Sequence, residues 1–334
     1  MKKLILLTTL LIPFIIFSQT QLGADIDGEA AGDSSGYSVS LSSDGTIVAI
    51  GATGNDATDP NGGHVRVYEY SGGSWSQLGA DIDGEAAGDS SGYSVSLSSD
   101  GTKVAIGATG NDAGGSNSGH VRVYEYSSSS WSQLGADIDG EAAGDSSGYS
   151  VSLSSDGTKV AIGATGNDAG GSNSGHVRVY EYSSSSWSQL GADIDGEAAG
   201  DSSGTSVSFI SDGNRVAIGA TGNDATDPNG GHVRIYDIQI PEISSVSLAA
   251  DNSTITVTTS LSVYNSSGGS SDLEASDFAL SISGGSATLT SATPTSISKT
   301  SQSVWVLGVG LTGTPTGGET LTVTPVANSI YYGT

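Results

Sequence analysis

Tyr93-Ser-Val-Ser-Leu-Ser98, Lys103-Val-Ala-Ile-Gly-Ala-Thr109, His120-Val-Arg-Val-Tyr-Glu-Tyr126 and Trp131-Ser-Gln-Leu-Gly135 follow one another along the chain, and their spacing decides the fold. The first and third alternate apolar and polar residues with period two, the mark of half-buried strands. Ser99-Asp100-Gly101 separates the first two, and an Asp-Gly turn needing positive φ makes them a hairpin. A polar loop from Gly110 to Gly119 leads to the third, and a Ser-rich turn from Ser127 to Ser130 to the fourth. Four short strands with hairpin-length connections predict one antiparallel meander, the build of a propeller blade.

Working outward, the same 56-residue unit begins at Gln21, Gln77, Gln133 and Gln189, and the second and third copies are identical letter for letter. A fixed period of this size signals stacked units that cannot bury their apolar faces alone. The expectation is an all-β chain with a β-propeller of four four-stranded blades over residues 19–238, its repeats being 21–76, 77–132, 133–188 and 189–238. Composition agrees: the 334 residues hold 50 Gly and only 14% charged side chains. With no cysteine, disulfides, zinc-thiolate sites and a thiol nucleophile are excluded.

The last copy reaches His232-Val-Arg-Ile-Tyr-Asp237 and departs into Ile238-Gln-Ile-Pro-Glu242 without a Trp-Ser-Gln-Leu-Gly strand. Gln19-Thr-Gln-Leu-Gly23 matches that strand with Gln19 at the Trp position, so the N-terminal segment is predicted to complete the last blade and seal the ring. An open arc and a larger ring of two chains are the alternatives. Residues 239–242 read as a linker. Beyond them Ser245 to Leu248, Thr254 to Val263, Asp277 to Ile282, Ala287 to Leu289, Val304 to Leu311 and Thr320 to Val326 predict a C-terminal β-sandwich over 243–334. The chain ends at Thr334 after a strand-like run without a recognisable sorting tail, which leaves open a longer parent protein.

At the other terminus, Lys2 and Lys3, an apolar run from Leu4 to Phe17 and Ser18 read as an export signal over residues 1–18. The run contains Pro13 and is short for a bilayer span, so a secreted or cell-surface chain without membrane insertion is expected. Losing the leader would deepen a formal net charge of −26. Such an excess repels nucleic acid and anionic membrane, and favours divalent cations or basic partners.

Gly-Tyr-Ser-Val, Val-Ala-Ile-Gly-Ala and Gly-His-Val-Arg-Val-Tyr resemble the FG-GAP repeat, the blade unit of integrin-α-type propellers and of many secreted bacterial surface proteins. The resemblance runs from Gln21 to about Ile238, with Tyr for the usual Phe and Thr205 at that place in the fourth copy. It implies that a first strand such as Tyr93 to Ser98 lines the axis. Calcium-binding members carry several alternating aspartates between the first two strands. Here that loop holds one acid per copy, Asp44, Asp100, Asp156 or Asp212, too few oxygens for calcium. Leu273-Glu-Ala-Ser-Asp-Phe-Ala-Leu280 and Glu319-Thr-Leu-Thr-Val-Thr-Pro325 resemble bacterial immunoglobulin-like modules, which serve as stalks or adhesive units.

A second acidic cluster lies in the connection between blades: Asp25, Asp27, Glu29 and Asp33; Asp81, Asp83, Glu85 and Asp89; Asp137, Asp139, Glu141 and Asp145; Asp193, Asp195, Glu197 and Asp201. Acids at i, i+2 and i+4 around a glycine are candidate calcium ligands, against the reading in which they are turn formers and solvated flanks. His64, His120, His176 and His232 recur once per copy next to Arg66, Arg122, Arg178 and Arg234. Four positions spread around a ring should not meet at one ion, which favours packing over zinc. Trp75, Trp131 and Trp187 are expected to pack between blades and not to stack on sugar.

No nucleophile-elbow, zincin or phosphate-loop motif is present, and identical blades place like groups around a ring where an enzyme needs unlike groups at one point. The expected function is therefore non-catalytic binding or adhesion, a protein or carbohydrate ligand being held by the loops that start at Asn55-Asp56, Asn111-Asp112, Asn167-Asp168 and Asn223-Asp224. The alternatives are a spacer in a larger surface protein, and a glycan-active enzyme with paired carboxylates.

Overall fold

The computed structural model describes residues 19–56, 59–224, 227–238, 242–266, 271–326 and 329–332; the proposed leader and most of the linker lie outside them. The described chain is all-β apart from one 3-10 turn, Ala275–Asp277. None of its helices is long and apolar enough to cross a membrane.

Each repeat folds as the meander its letters predict. The second holds Ser94–Leu97, Lys103–Ala108, His120–Ser127 and Ser130–Gln133 in antiparallel order. A further short strand, Ile138–Asp139, pairs with the start of the third strand, Ile138 opposite Val121 and Asp139 opposite His120. That pairing carries the acidic connection back along the blade edge. Repeats one and three have the same five strands, whereas the fourth has only Ser203–Phe209, Arg215–Ala220 and His232–Asp237. These antiparallel sheets, repeating every 56 residues or so, are consistent with propeller blades.

The blades bury their faces on one another. Ala49, Val65 and Val67 of the first meet Val95, Leu97, Val104 and Ile106 of the second in one core, and equivalent residues build cores between the second and third and between the third and fourth. Val104-Ala-Ile-Gly-Ala108 is buried throughout because both of its faces are covered. Its glycine is required by contact: a Cβ on Gly107 would lie 2.1 Å from the carbonyl oxygen of Gly148 in the next blade. Hydrogen bonds reinforce each junction, Ser94 Oγ donating to Gly148 O at 2.7 Å and Ser99 N to Ser155 O at 2.8 Å.

The expected closure of the ring is corrected. Gln19–Gly23 forms no strand on the fourth blade; Leu22 O instead accepts the indole N–H of Trp75 in the first, at 2.8 Å. The segment thus occupies, on blade one, the place that the end of each repeat occupies on the blade after it. Four blades share three inter-blade cores among the described residues, and both ends stand open. Val39 and Leu41 are 64% and 60% exposed at one end, Val233 and Ile235 67% and 66% at the other. The physical reason lies in the outer-strand pair Tyr70–Trp75, which has no counterpart on the fourth blade: Ile238 stands at the tyrosine position and Gln19 at the tryptophan position.

C-terminal to the repeats, Ile243–Leu248, Thr254–Thr259, Val304–Gly308 and Ile297–Ser301 form one antiparallel sheet. Phe278–Ser283 pairs with Thr320–Pro325. Trp305, Leu307 and Val257 from the sheet and Phe278 and Leu280 from the pair share one core. Ile297–Ser301, a Ser-rich edge strand with a register shift, carries too little apolar alternation to be read from sequence.

Candidate functional site

The loop aspartates between first and second strands are structural. Asp100 Oδ1 accepts Ser98 Oγ at 2.7 Å, Thr102 N at 3.0 Å and Thr102 Oγ1 at 2.8 Å. Against the partial burial that would raise it, these bonds hold its carboxyl below the usual range, and the same set acts on Asp156. Asp44 is lowered by the Thr46 backbone N–H first and then by the two hydroxyls. With one carboxylate already committed to closing a hairpin, these loops do not fit the calcium site of the resembled family.

The acids between blades are dealt out to different partners. Asp89 is buried; its Oδ2 accepts Ala86 N at 3.2 Å and Asn111 Nδ2 at 3.1 Å, pinning the connection to the base of the following loop. Asp33, Asp145 and Asp201 do the same with Asn55, Asn167 and Asn223. Asp83 offers its backbone carbonyl to Arg122 Nη2 at 2.7 Å, as Asp27, Asp139 and Asp195 do to Arg66, Arg178 and Arg234. Asp81 takes a hydrogen bond from Gln77, and Asp25, Asp137 and Asp193 have the equivalent glutamine. Within one connection, then, Asp81 faces the blade behind and Glu85 the blade ahead, and the four acids do not gather.

The structure gathers another set. His64 Nδ1 stands 3.9 Å from Glu29 Oε2 and 3.9 Å from Asp81 Oδ2, joining the connections before and after the first blade. Glu29-His64-Asp81, Glu85-His120-Asp137 and Glu141-His176-Asp193 each hold their ligand atoms within 4.8 Å of one another. His232 has Glu197 at 3.6 Å, but no second acid joins it among the described residues. Burial, and then the neighbouring arginine, push His120 and His176 below the ordinary histidine value, so their imidazoles are neutral at pH 7. Burial pushes the Glu141 carboxyl up. Each arginine lies over the tyrosine two residues on, Arg122 at 5.5 Å from the Tyr124 ring centroid, and burial raises that phenol. Sequence reasoning named every member of these sets but not their grouping, which needs one residue from a strand and one from each flanking connection.

Of the predicted ligand-binding loops, the asparagines Asn55, Asn111, Asn167 and Asn223 are buried, while Asp56, Asp112, Asp168 and Asp224 are exposed. The aspartates brace the loop tips, Asp112 Oδ1 accepting Asn117 N at 2.7 Å. Trp131 packs against the core between the first and second blades, as expected.

The FG-GAP repeat family model matches residues 81–124 and 137–180, so these two stretches are FG-GAP repeats. Each match runs from the acidic connection into the third strand of a blade. No curated protein matches the sequence. Among solved structures, hydrazine synthase of Kuenenia stuttgartiensis is similar at 14% identity and a TM-score of 0.39, over 92% of this chain and 70% of that one. The periplasmic gluconolactonase PpgL of Pseudomonas aeruginosa matches at 14% and 0.39, over 66% and 64%. The Cps50 (Swd1) β-propeller domain of Myceliophteria thermophila matches at 12% and 0.37, over 70% and 65%. Likenesses of this size carry no inference about activity.

Proposed function

We propose that the chain is a non-catalytic binding or adhesion protein, secreted or held at the cell surface, which takes an extracellular protein or glycan on its blade loops. The observation that carries the reading is the repetition of one braced loop: Asp56, Asp112, Asp168 and Asp224 are exposed at the same place in successive blades. Beneath each, a buried Asn–Asp pair fixes the loop base. A repeated, pre-organised polar edge suits a repetitive or extended ligand, because many weak contacts add through avidity. The export signal supports the location, and the C-terminal strands serve as an immunoglobulin-like sandwich that carries the blades.

The test is an array of glycans and matrix proteins probed with the purified chain and with a variant bearing Asp112→Ser and Asp168→Ser. Binding that weakens in the variant supports the loops as the site. Absence of binding across the array favours a spacer.

A further inference from the structure

His64, His120 and His176 are at most 1% exposed, yet neither ring nitrogen of any of them has a hydrogen-bond partner among the described residues. Buried polar groups left unpaired are costly and uncommon in folded proteins, so three copies of the same one call for a physical cause. In each case Nδ1 is aimed between two carboxylates at distances too long for hydrogen bonds: 3.9 Å and 3.9 Å at His64, 3.9 Å and 3.8 Å at His176, and 3.9 Å to Glu85 at His120.

We infer that the groups Glu29-His64-Asp81, Glu85-His120-Asp137 and Glu141-His176-Asp193 are binding sites for a zinc-class divalent cation, each held by the histidine Nδ1 and one oxygen from each acid. The donor set suits such an ion, since a neutral imidazole with two carboxylates is a borderline N/O combination that calcium and magnesium, which prefer all-oxygen shells, do not select. Spacing suits it too. Two ligands bonded to a tetrahedral zinc lie about 3.4 Å apart, so the carboxylates at 3.8–3.9 Å from Nδ1 close on it by about half an ångström, and no pair of ligand atoms in a group, all within 4.8 Å of one another, has to close by more than about 1.4 Å. Glu85 is 43% exposed and free to make that movement, which also leaves a way in for the ion and room for water as a fourth ligand.

The neighbouring arginine does not compete for the same oxygen. Arg122 Nη1 lies 3.4 Å from Glu85 Oε1, whereas His120 faces Oε2, and Arg122 Nη2 is engaged with Asp83 O. Arg122 therefore orients the glutamate for the ion. Because each site draws on the connections before and after one blade, a bound ion ties successive repeats together on their polar edge, opposite in character to their apolar cores. The fourth blade is an internal control: with no second acid joining His232 and Glu197 among the described residues, the chain should hold three ions and not four.

The experiment uses the full chain, expressed without a histidine tag, stripped with chelator and titrated with zinc chloride alone by calorimetry, with metal content read after desalting. Three equivalents are expected, falling to two in Asp137→Asn and remaining three in Glu197→Gln. Circular dichroism establishes that each variant is folded; Glu85→Gln replaces Asp137→Asn if the latter is not. Cobalt should give visible d–d absorption that drops by a third in the same variant. Less than one equivalent of zinc, a stoichiometry unchanged in both Asp137→Asn and Glu85→Gln, or calcium binding at these sites in place of zinc would each overturn the assignment.

Discussion

The indole N–H of Trp131 donates to the backbone carbonyl of Leu78 at 2.7 Å, joining the second blade to the connection that leaves the outer strand of the first. The same ring leaves room for nothing larger than glycine at position 79, where a Cβ would lie 2.9 Å from Trp131 Cδ1, and it packs on Tyr126 with centroids 5.1 Å apart. One half-buried tryptophan thus fixes where each connection leaves its blade. Trp131→Ala is expected to lower stability by about 2–3 kcal/mol, less than for a fully buried ring. Trp131→Phe, which keeps the ring and loses the bond, should cost about 1 kcal/mol. Urea unfolding of the two variants decides it; a Trp131→Phe midpoint unchanged from that of the unsubstituted chain would show that the hydrogen bond contributes nothing.

Gly107 and Gly219 stand at the same place in the second and fourth blades, but only Gly107 has another blade against it. A Cβ there would meet Gly148 O at 2.1 Å, whereas at Gly219 the nearest backbone atom is 3.8 Å away and the only close neighbour is the movable Ser206 Oγ. Gly107→Ala is therefore expected to destabilise by about 3 kcal/mol and Gly219→Ala by less than about 1 kcal/mol. Thermal unfolding of the pair tests the open end directly. If the fourth blade packed against the first in solution, both substitutions would be equally harmful.

Strand order and blade boundaries were legible because they depend on letters close in sequence: Tyr93 to Ser98, Asp100-Gly101 and Lys103 to Thr109 specify a hairpin without reference to anything distant. The open ends were not legible, because Gln19–Gly23 matches an outer strand equally well whether it serves the fourth blade or lies on the first. What decides is whether it pairs with His232–Asp237 at the far end of the repeats, and among the described residues no strand joins that edge. The histidine groups were hidden for a related reason. Asp81, Asp83, Glu85 and Asp89 are neighbours in sequence, but the connection passes from one blade to the next between them, so Asp81 serves His64 and Glu85 serves His120. Sequence proximity suggested one cluster where the fold makes two half-sites.

A turn that differs between copies offers a stability test of its own. Between the third and fourth strands, the first copy has Gly72-Gly73 at φ 62° and 92°, while the second has Ser128-Ser129 at φ 51° and 67°. Two consecutive positive φ values suit glycine, and each costs an L-residue about 1–2 kcal/mol, partly offset by the greater unfolded-state freedom of glycine. The double substitution Ser128→Gly with Ser129→Gly is expected to raise stability by about 1 kcal/mol, seen as a higher urea midpoint at unchanged slope. A lower midpoint would mean that the serine hydroxyls stabilise the turn by more than the strain they accompany.

Glu319 organises the turns of the C-terminal strands through its carboxylate. Oε1 accepts Ser286 N at 2.9 Å and Ala287 N at 3.2 Å, and Oε2 accepts Thr316 N and Gly317 N, both at 2.9 Å. These donors, the Thr316 backbone first, pull its pKa from 4.5 down to about 2. A carboxyl whose folded value lies below its unfolded value binds its proton more weakly in the fold. Its contribution is therefore complete above about pH 4.5 and is lost as pH falls toward 2. Glu319→Gln keeps one carbonyl acceptor and removes the charge, so its stability deficit relative to the unsubstituted chain should be largest near neutral pH and shrink across that acid window. Thermal unfolding of both proteins between pH 7 and pH 2 reads the difference; a deficit that stays constant with pH would mean that the carboxylate's charge plays no part in holding these turns.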